Sequence, residues 1–298
     1  MIQNIELKLL YDLITLEKCR NFTIASEIRN ISQSSLSRRI QTLENNLGFE
    51  VIDREMTPLQ LTEKGKLFIL HARNILDDFE FNVAQIKGDH HLKSRVTIAS
   101  AHSLAGHIFP KIMNNLKNYE EKIFNVEAIN VNETVNALKD GRCDFIASFH
   151  DDELMNPHFL CHKLFSAKMY LVTSPNHQNK PKFSLEDSSL PLMNYTDDSY
   201  MGKKVNKYLQ DNNPDKFNTI FISSMSILLK DMIKGGYGVG WLPDYSIQQE
   251  LKNNELIIVP LKDSVLSIDI YFYRSNSRLN TSSENLWSFI KAIDWSIA

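Results

Sequence analysis

The stretch Ser32-Gln33-Ser34-Ser35-Leu36-Ser37-Arg38-Arg39-Ile40 concentrates polar chemistry on a few adjacent positions. Its hydroxyls and the Gln33 amide donate and accept hydrogen bonds, and its two arginines present planar donor forks. That set suits reading a nucleic acid: glutamine matches an adenine edge, and arginine a guanine edge or a phosphate. Behind these residues Leu36, Ile40, Leu43 and Leu47 recur at helical spacing, which predicts a helix with an apolar back and a polar front. Serines at 32, 34 and 35 supply N-cap chemistry at its start, and Gly48 supplies a left-handed stop at its end. Upstream, Leu7, Leu10, Tyr11, Ile14 and Leu16 predict a first helix. Asn21-Phe22-Thr23 breaks the pattern, and Ala25, Ile28 and Ile31 continue it in a helix from Thr23. Two short helices ahead of a polar-fronted third predict a helix-turn-helix, whose second helix enters the major groove by its first turns. Residues 50–53 and 59–61 read as the strands of a small hairpin, a wing, around 54–58.

Charge narrows this reading. The whole chain carries 33 Lys and Arg against 36 Asp and Glu, a net charge of −3, so no global basic field draws it to DNA. Residues 1–65 hold eight basic residues and nine acidic ones, so phosphate contacts are few and local. A bare serine-rich helix is more often a solvated face. Here the full spacing, the wing and the helix that follows favour the DNA reading.

From Thr62, a helix cap, Phe68, Ala72, Ile75, Phe79, Val83 and Ile86 follow a heptad seam. A helix of that length exceeds what a small domain needs, and it predicts a dimerisation strut over 61–88. Residues 89–93 read as a hinge. Beyond it the pattern changes to strand 95–99, helix 104–119, strand 124–129, helix 133–141 and strand 144–148, which predicts parallel sheet with right-handed crossovers. Further strands fall near 168–173, 219–222, 239–242, 256–260 and 267–273, with a terminal helix over 283–296. The chain therefore reads as α/β overall. It divides into a winged helix-turn-helix (1–60), a linker helix, and a two-lobed domain over 94–298. Lobe 1 takes in about 94–162 and 266–298, and lobe 2 about 163–265.

Three cysteines, Cys19, Cys143 and Cys161, are too few and too uneven for a disulfide framework and fit a reducing cytoplasm. The start MIQNIELKLL lacks a signal-peptide core, and no apolar run is long enough for a membrane span. The reading is thus a cytoplasmic protein with no membrane partner, no cofactor and no metal.

The run from Phe22 to Gly48, followed by Leu61-Thr62-Glu63-Lys64-Gly65, resembles the helix-turn-helix and linker start of LysR-type transcriptional regulators. The resemblance implies that Ser32, Gln33, Ser34, Ser35, Ser37, Arg38 and Arg39 form the surface toward double-stranded operator DNA, helped by Arg54 at the wing. Pro58 stands where a wing residue is often basic, and Ser35 where alanine is commoner. It also implies homodimers through the linker helix that assemble into tetramers or higher forms, a regulator and not an enzyme, with RNA polymerase as a further partner. The domain from about 94 is then a periplasmic-binding-protein-like sensor. Its effector segments are Ser100-Ala101-His102-Ser103, Ile129-Asn130, Ser148-Phe149-His150, Tyr200-Met201-Gly202 and Ser223-Ser224-Met225-Ser226.

Several stretches are similar to the hypochlorite-responsive subgroup of that family, among them Ser199-Tyr200-Met201-Gly202, Ser223-Ser224-Met225-Ser226 and the residues from Trp241 to Glu250. That resemblance implies sensing through sulfoxidation of Met201 and Met225, a change that turns an apolar side chain polar and that reductases reverse. It places Leu116 where the subgroup carries a third methionine. On position alone, a methionine more often fills a core gap. An alternative effector is a reversible carboxylate or other anion held at Ser100, Ser103 and the Ser223-Ser224 turn. An enzyme or solute-binding protein on the same lobes is disfavoured by the fused helix-turn-helix.

Other signals carry less. Gly235-Gly236-Tyr237-Gly238-Val239-Gly240 follows a helix and precedes a strand, the reverse of a dinucleotide-binding turn, and reads as a helix-ending turn. His150-Asp151-Asp152-Glu153, and His90-His91 with Cys161-His162, lack metal-ligand spacing and read as solvated loops. His150 stays a candidate for the cleft. Cys143 precedes a strand and reads as buried, and Cys19 as a packing residue.

Overall fold

The computed structural model describes residues 5–56, 58–88, 93–117, 119–212, 214–261 and 266–295. The expected hinge therefore lies largely outside the described residues, as do His90 and His91. In the head, α1 (Leu7–Cys19), α2 (Phe22–Ile28) and α3 (Gln33–Leu47) precede an antiparallel hairpin of β1 (Ile52–Asp53) and β2 (Gln60–Leu61). α2 begins at Phe22, one residue before the expected start, and Asn21 caps it, its side chain accepting from the Thr23 and Ile24 amides. Ser32 caps α3 through the Ser35 amide, and Gly48 closes it at φ 75°. Leu13, Leu16, Leu36, Ile40, Leu43 and Val51 form a common core, fully out of solvent.

Thr62 caps α4 (Glu63–Ile86), a helix of 24 residues, through the Gly65 amide. Ile69, Ala72 and Leu76 on α4 belong to the core of the head, whereas Leu70 joins the core of the domain that follows. Gly65 lets α4 pack closely on the backbone of the head before the wing: a Cβ there would lie 2.1 Å from the Val51 carbonyl oxygen.

The second part opens with β3 (Ser94–Ala101), α5 (His102–Asn115), β4 (Lys122–Ile129), α6 (Val131–Lys139) and β5 (Phe145–Phe149). As the alternating pattern implies, β3 pairs in parallel with both β4 and β5. α5 starts at His102 and ends at Asn115, earlier at both ends than the periodicity predicts. Then come β6 (Phe159–Thr173), β7 (Leu190–Asn194), α7 (Tyr200–Asp211), β8 (Phe217–Ile222), α8 (Ser226–Lys234), β9 (Val239–Pro243), α9 (Gln248–Lys252), β10 (Ile257–Ile258), β11 (Leu266–Ser275) and α10 (Thr281–Ala292). β7 and α7 were not expected from the sequence pattern. β6 runs for 15 residues, far beyond the expected 168–173, because its first half alternates Leu160, His162 and Leu164 with polar neighbours along a half-covered sheet.

Strand order is β4-β3-β5-β11-β6-β9-β7-β8, with β10 beside β6. β6 and β11 pair antiparallel from Phe159–Ser275 to Met169–Leu266, with a register irregularity between Ile270 and Tyr271. These two long strands carry the chain between two α/β lobes, one around β3, β4 and β5, the other around β7, β8 and β9. In each lobe the parallel strands end toward the same gap, where ligands of open α/β sheets bind.

Candidate functional site

On the head, Ser32, Gln33, Ser34, Ser37 and Arg38 are exposed together along the first turns of α3. Ser32 Oγ lies 3.1 Å from Ser34 Oγ and 2.8 Å from Ser35 Oγ, so the serines form a small hydroxyl network at the helix start. Ser35 is half-buried within it. Arg38 makes no ion pair among the described residues and projects to solvent. Arg39 turns the other way: its Nη1 reaches Asp12 Oδ2 at 3.2 Å, while Arg29 Nε donates to Asp12 Oδ1 at 2.6 Å. Asp12 itself is fully buried. Arg54 is held at 2.5 Å by Glu44, whose other oxygen accepts from the Val51 and Ile52 amides. Arg39 and Arg54 are thus anchored by buried carboxylates, and Arg38 is not. Asp12 and Glu44 went unread in the sequence, though an acid on an apolar helix face is itself a signal for a buried cation partner.

In the two-lobed domain, a cavity of about 400 Å³ lies between the lobes, lined by His102, Ser103, Asn130, Thr196, Ser199 and Ser224 among others. A second cavity of about 330 Å³ adjoins it through His102 and Ser103 and is lined by His107, Met225, Ser226, Lys230 and Tyr245. The first residues of α5, α6 and α8 line these cavities, and none of the three helices has a side-chain N-cap. Their amide groups and dipole ends face the opening, an arrangement that favours negative charge. The buried Tyr195 and Tyr245 hydroxyls have no hydrogen-bond partner among the described residues. Tyr245 lies beside Ser103 and Tyr195 beside Ser226, and burial pushes both phenols above their usual range. His107 packs against Phe165 and Tyr245 and is shifted down, by burial first and then by Lys111. Lys230 is neutralised by Glu250 at 2.6 Å.

The two methionines differ in access. Met225 is 43% exposed at the start of α8, whereas Met201 in α7 is 4% exposed. Ser226 Oγ sits 3.7 Å from Met201 Sδ, so both thioethers converge on the first residues of α8.

Of the other expected cleft residues, His102, Ser103 and Ser224 line the cavities and three do not. Ser100 is fully buried in β3, its hydroxyl donating to the Ala101 carbonyl. Tyr200 stacks on Phe149 with ring centroids 4.6 Å apart, and burial, helped by Asp269, pushes its phenol up to about 12. His150 lies 3.7 Å from Asp152 and edge-on to Tyr271, outside the lining of either cavity. Cys143 is buried, and its thiol is pushed up to about 12, chiefly by burial. Cys161 is exposed, 3.6 Å from Met155 Sδ. Leu116 ends α5 and packs against the core. The Gly235–240 run is a helix end and turn, with Gly236 at φ 80° before β9. Among the described residues no three His, Cys, Asp or Glu side chains gather as metal ligands, and no helix is long and apolar enough to cross a membrane.

A winged helix-turn-helix with a polar recognition face, joined by a long helix to two α/β lobes around a cleft, defines a DNA-binding regulator with a sensor domain. Residues 7–66 match the family model described as "Bacterial regulatory helix-turn-helix protein, lysR family", and residues 89–293 match "LysR substrate binding domain". The chain belongs to the LysR-type transcriptional regulators. It is 39% identical to the HTH-type transcriptional regulator YjiE of Escherichia coli K12 over 99% of this chain and 97% of that protein. Among solved structures, full-length HypT from Salmonella typhimurium, described as a hypochlorite-specific LysR-type regulator, is 39% identical, with 98% of each chain covered and a TM-score of 0.63. DarR from Vibrio fischeri, solved in complex with DNA, is 34% identical over 98% of this chain and all of that one, with a TM-score of 0.62.

Proposed function

We propose that this regulator responds to hypochlorite-type oxidants through its sensor methionines, and that it acts in the cytoplasm on paired operator sites by binding and not by turnover. The observation that carries the reading is the placement of Met225 and Met201 around the start of α8, one open to the cleft and the other touching Ser226. A thioether takes one oxygen atom from hypochlorous acid to give a sulfoxide, and a proton and chloride leave. The new S=O group is a strong acceptor where an apolar chain stood. Met201 is 4% exposed, so a polar oxygen added there enters a buried setting with the Ser226 hydroxyl as its neighbour, and that cost favours an opened arrangement of α7 and α8. The similarity to HypT supports the same stimulus.

Treating the full-length protein with graded hypochlorite and mapping adducts of about 16 Da against operator binding tests this. Met225 is expected to oxidise first, Met201 later, and the change in DNA binding is expected to vanish in the M201L/M225L double variant. A full response in that variant would overturn the reading.

A reversible anionic effector is the second reading. It is favoured by the three uncapped helix starts that line the cleft, with the buried Tyr245 hydroxyl beside Ser103 in its lining. A small carboxylate or other anion that changes operator affinity of M201L/M225L reversibly, without any adduct, and fails to do so in S103A, would select it.

For DNA, we place Ser32, Gln33, Ser34, Ser37 and Arg38 against the major groove, with Ser35 ordering the helix start and Arg39 and Arg54 at its flank. R38A is expected to weaken operator binding about tenfold while the fold and dimer persist. Unchanged affinity would sink the assignment.

A further inference from the structure

The glycine run that ends α8 forms one wall of a cavity of about 550 Å³ at the outer end of lobe 2, which shares no lining residue with the interlobe cleft. Ser174, Asn176, His177, Lys182, Lys234 and Gly236 line it together with a few neighbours. Ser174 is only 5% exposed, and its hydroxyl has no hydrogen-bond partner among the described residues. A buried hydroxyl without a partner is costly and points to a missing one. Gly236, at φ 80°, leaves a notch beside it: a Cβ there would fall 2.8 Å from Lys182 Nζ and 3.3 Å from Ser174 Oγ. Lys182 Nζ donates to the Gly236 carbonyl at 2.7 Å, which leaves two of its N–H groups for another acceptor.

The charge around the notch is positive where it is unspent. Lys234 and Glu255 neutralise each other in an ion pair, whereas Lys182 makes no ion pair among the described residues and His177 is exposed at the rim. The amides of Gly235, Gly236 and Tyr237 are taken by the carbonyls of Asp231, Ile233 and Met232. Any ligand is therefore held by side chains, not by a backbone phosphate cradle.

We propose that this cavity is a second effector site, binding the oxyanion of a small carboxylate or phosphoryl compound between Lys182 and Ser174. The site also has a direct route to the cleft. α8 begins at Ser226 in the cleft and ends at Lys234 here, eight residues on or about 12 Å away, so one rigid element touches both. The proposal does not depend on the oxidant reading.

Titration calorimetry of the full-length protein with inorganic phosphate and, separately, with acetate tests it. Ionic strength is held constant with chloride, and the wild type is compared with K182Q, S174A and S103A. Saturable binding of at least one probe is expected, weakened about tenfold in K182Q and in S174A and unchanged in S103A. The probe that binds identifies the class of oxyanion. Lys182 is an exposed side chain, so K182Q leaves the fold intact and is the deciding variant. Absence of saturable binding by either probe, wild-type affinity in K182Q, or loss of binding in S103A would overturn the proposal.

Discussion

Asp12 lies on the buried face of α1 between Leu9 and Leu13, with its carboxylate shared by Arg29 and Arg39. A charge so placed is tolerated only while its partners stay, because removing one leaves the carboxylate under-compensated in a dry site. Arg38 has no such tie among the described residues: of the two neighbouring arginines, one joins helices and the other stays exposed to solvent, as the proposed DNA contact requires. R39A is therefore expected to lower the stability of the head by about 1–2 kcal/mol, less than for a fully buried pair because Arg39 is a third exposed. R38A is expected to leave stability within about 0.5 kcal/mol of wild type. Urea denaturation of both variants, read beside operator affinity, checks this difference; equal stability loss in the two would refute it. The sequence made the polar face of α3 legible through the apolar residues behind it. It did not reveal which arginine turns inward, since adjacent helix positions diverge by about 100° and the decisive partner lies one helix away.

At the scale of elements, α4 leaves an apolar stripe uncovered. Leu67, Ile75, Phe79 and Ile86 are 55%, 51%, 50% and 86% exposed on a helix whose other face is buried in two cores. Ile75, Phe79 and Ile86 fall on the heptad seam expected from the sequence, whereas Phe68 and Ala72 of that seam pack into the core of the head and Leu67 joins the stripe instead. We read the stripe as the face that meets the same helix of a second copy. F79D is expected to convert the dimer to a monomer in sedimentation analysis and to reduce operator affinity, since two linked heads bind far better than one. A variant that still sediments as a dimer would place the interface elsewhere. G65A carries a different expectation. The Val51 carbonyl occupies the space of the added Cβ, so either the wing or α4 must shift, at a cost above about 2 kcal/mol in thermal or urea unfolding. Less of the cleft was legible. Strand ends mark where a ligand site falls, but Ser100 points into the sheet core and Tyr200 is taken by Phe149, choices made by packing partners distant in sequence. For the same reason Tyr195 and Tyr245, the unpartnered hydroxyls beside the cavities, escaped notice.

Across the whole molecule, the head, linker helix and sensor meet in one polar junction. Arg73 on α4 pairs with Glu17 of the head at 2.6 Å and donates to the Gly141 carbonyl of the sensor at 2.7 Å. Lys66 reaches Asp140 at 3.2 Å, and Asn280 donates to Asn74. Gly141, at φ 64°, has no space for a side chain: a Cβ would lie 2.6 Å from the Lys66 carbonyl oxygen. Near this seam, Asp144 at the start of β5 accepts from the Thr97 amide at 2.9 Å, yet burial, with the nearby Asp77 of α4 adding repulsion, raises its carboxyl to about 6. Asp77 is itself raised, mainly by burial. A carboxyl whose folded value lies above its unfolded value binds its proton more tightly in the native state. Its contribution to stability is thus full below about pH 4 and is lost as pH rises through about 6. An asparagine at this position keeps an acceptor for Thr97 and never ionises, so D144N removes that loss. Melting temperatures of wild type and D144N are expected to be closest near pH 4 and to diverge toward pH 7, with D144N the more stable at the upper end. A gap that stayed constant across this range would show that Asp144 ionises in the native state at no cost, with Arg73 and the Thr97 amide compensating its charge.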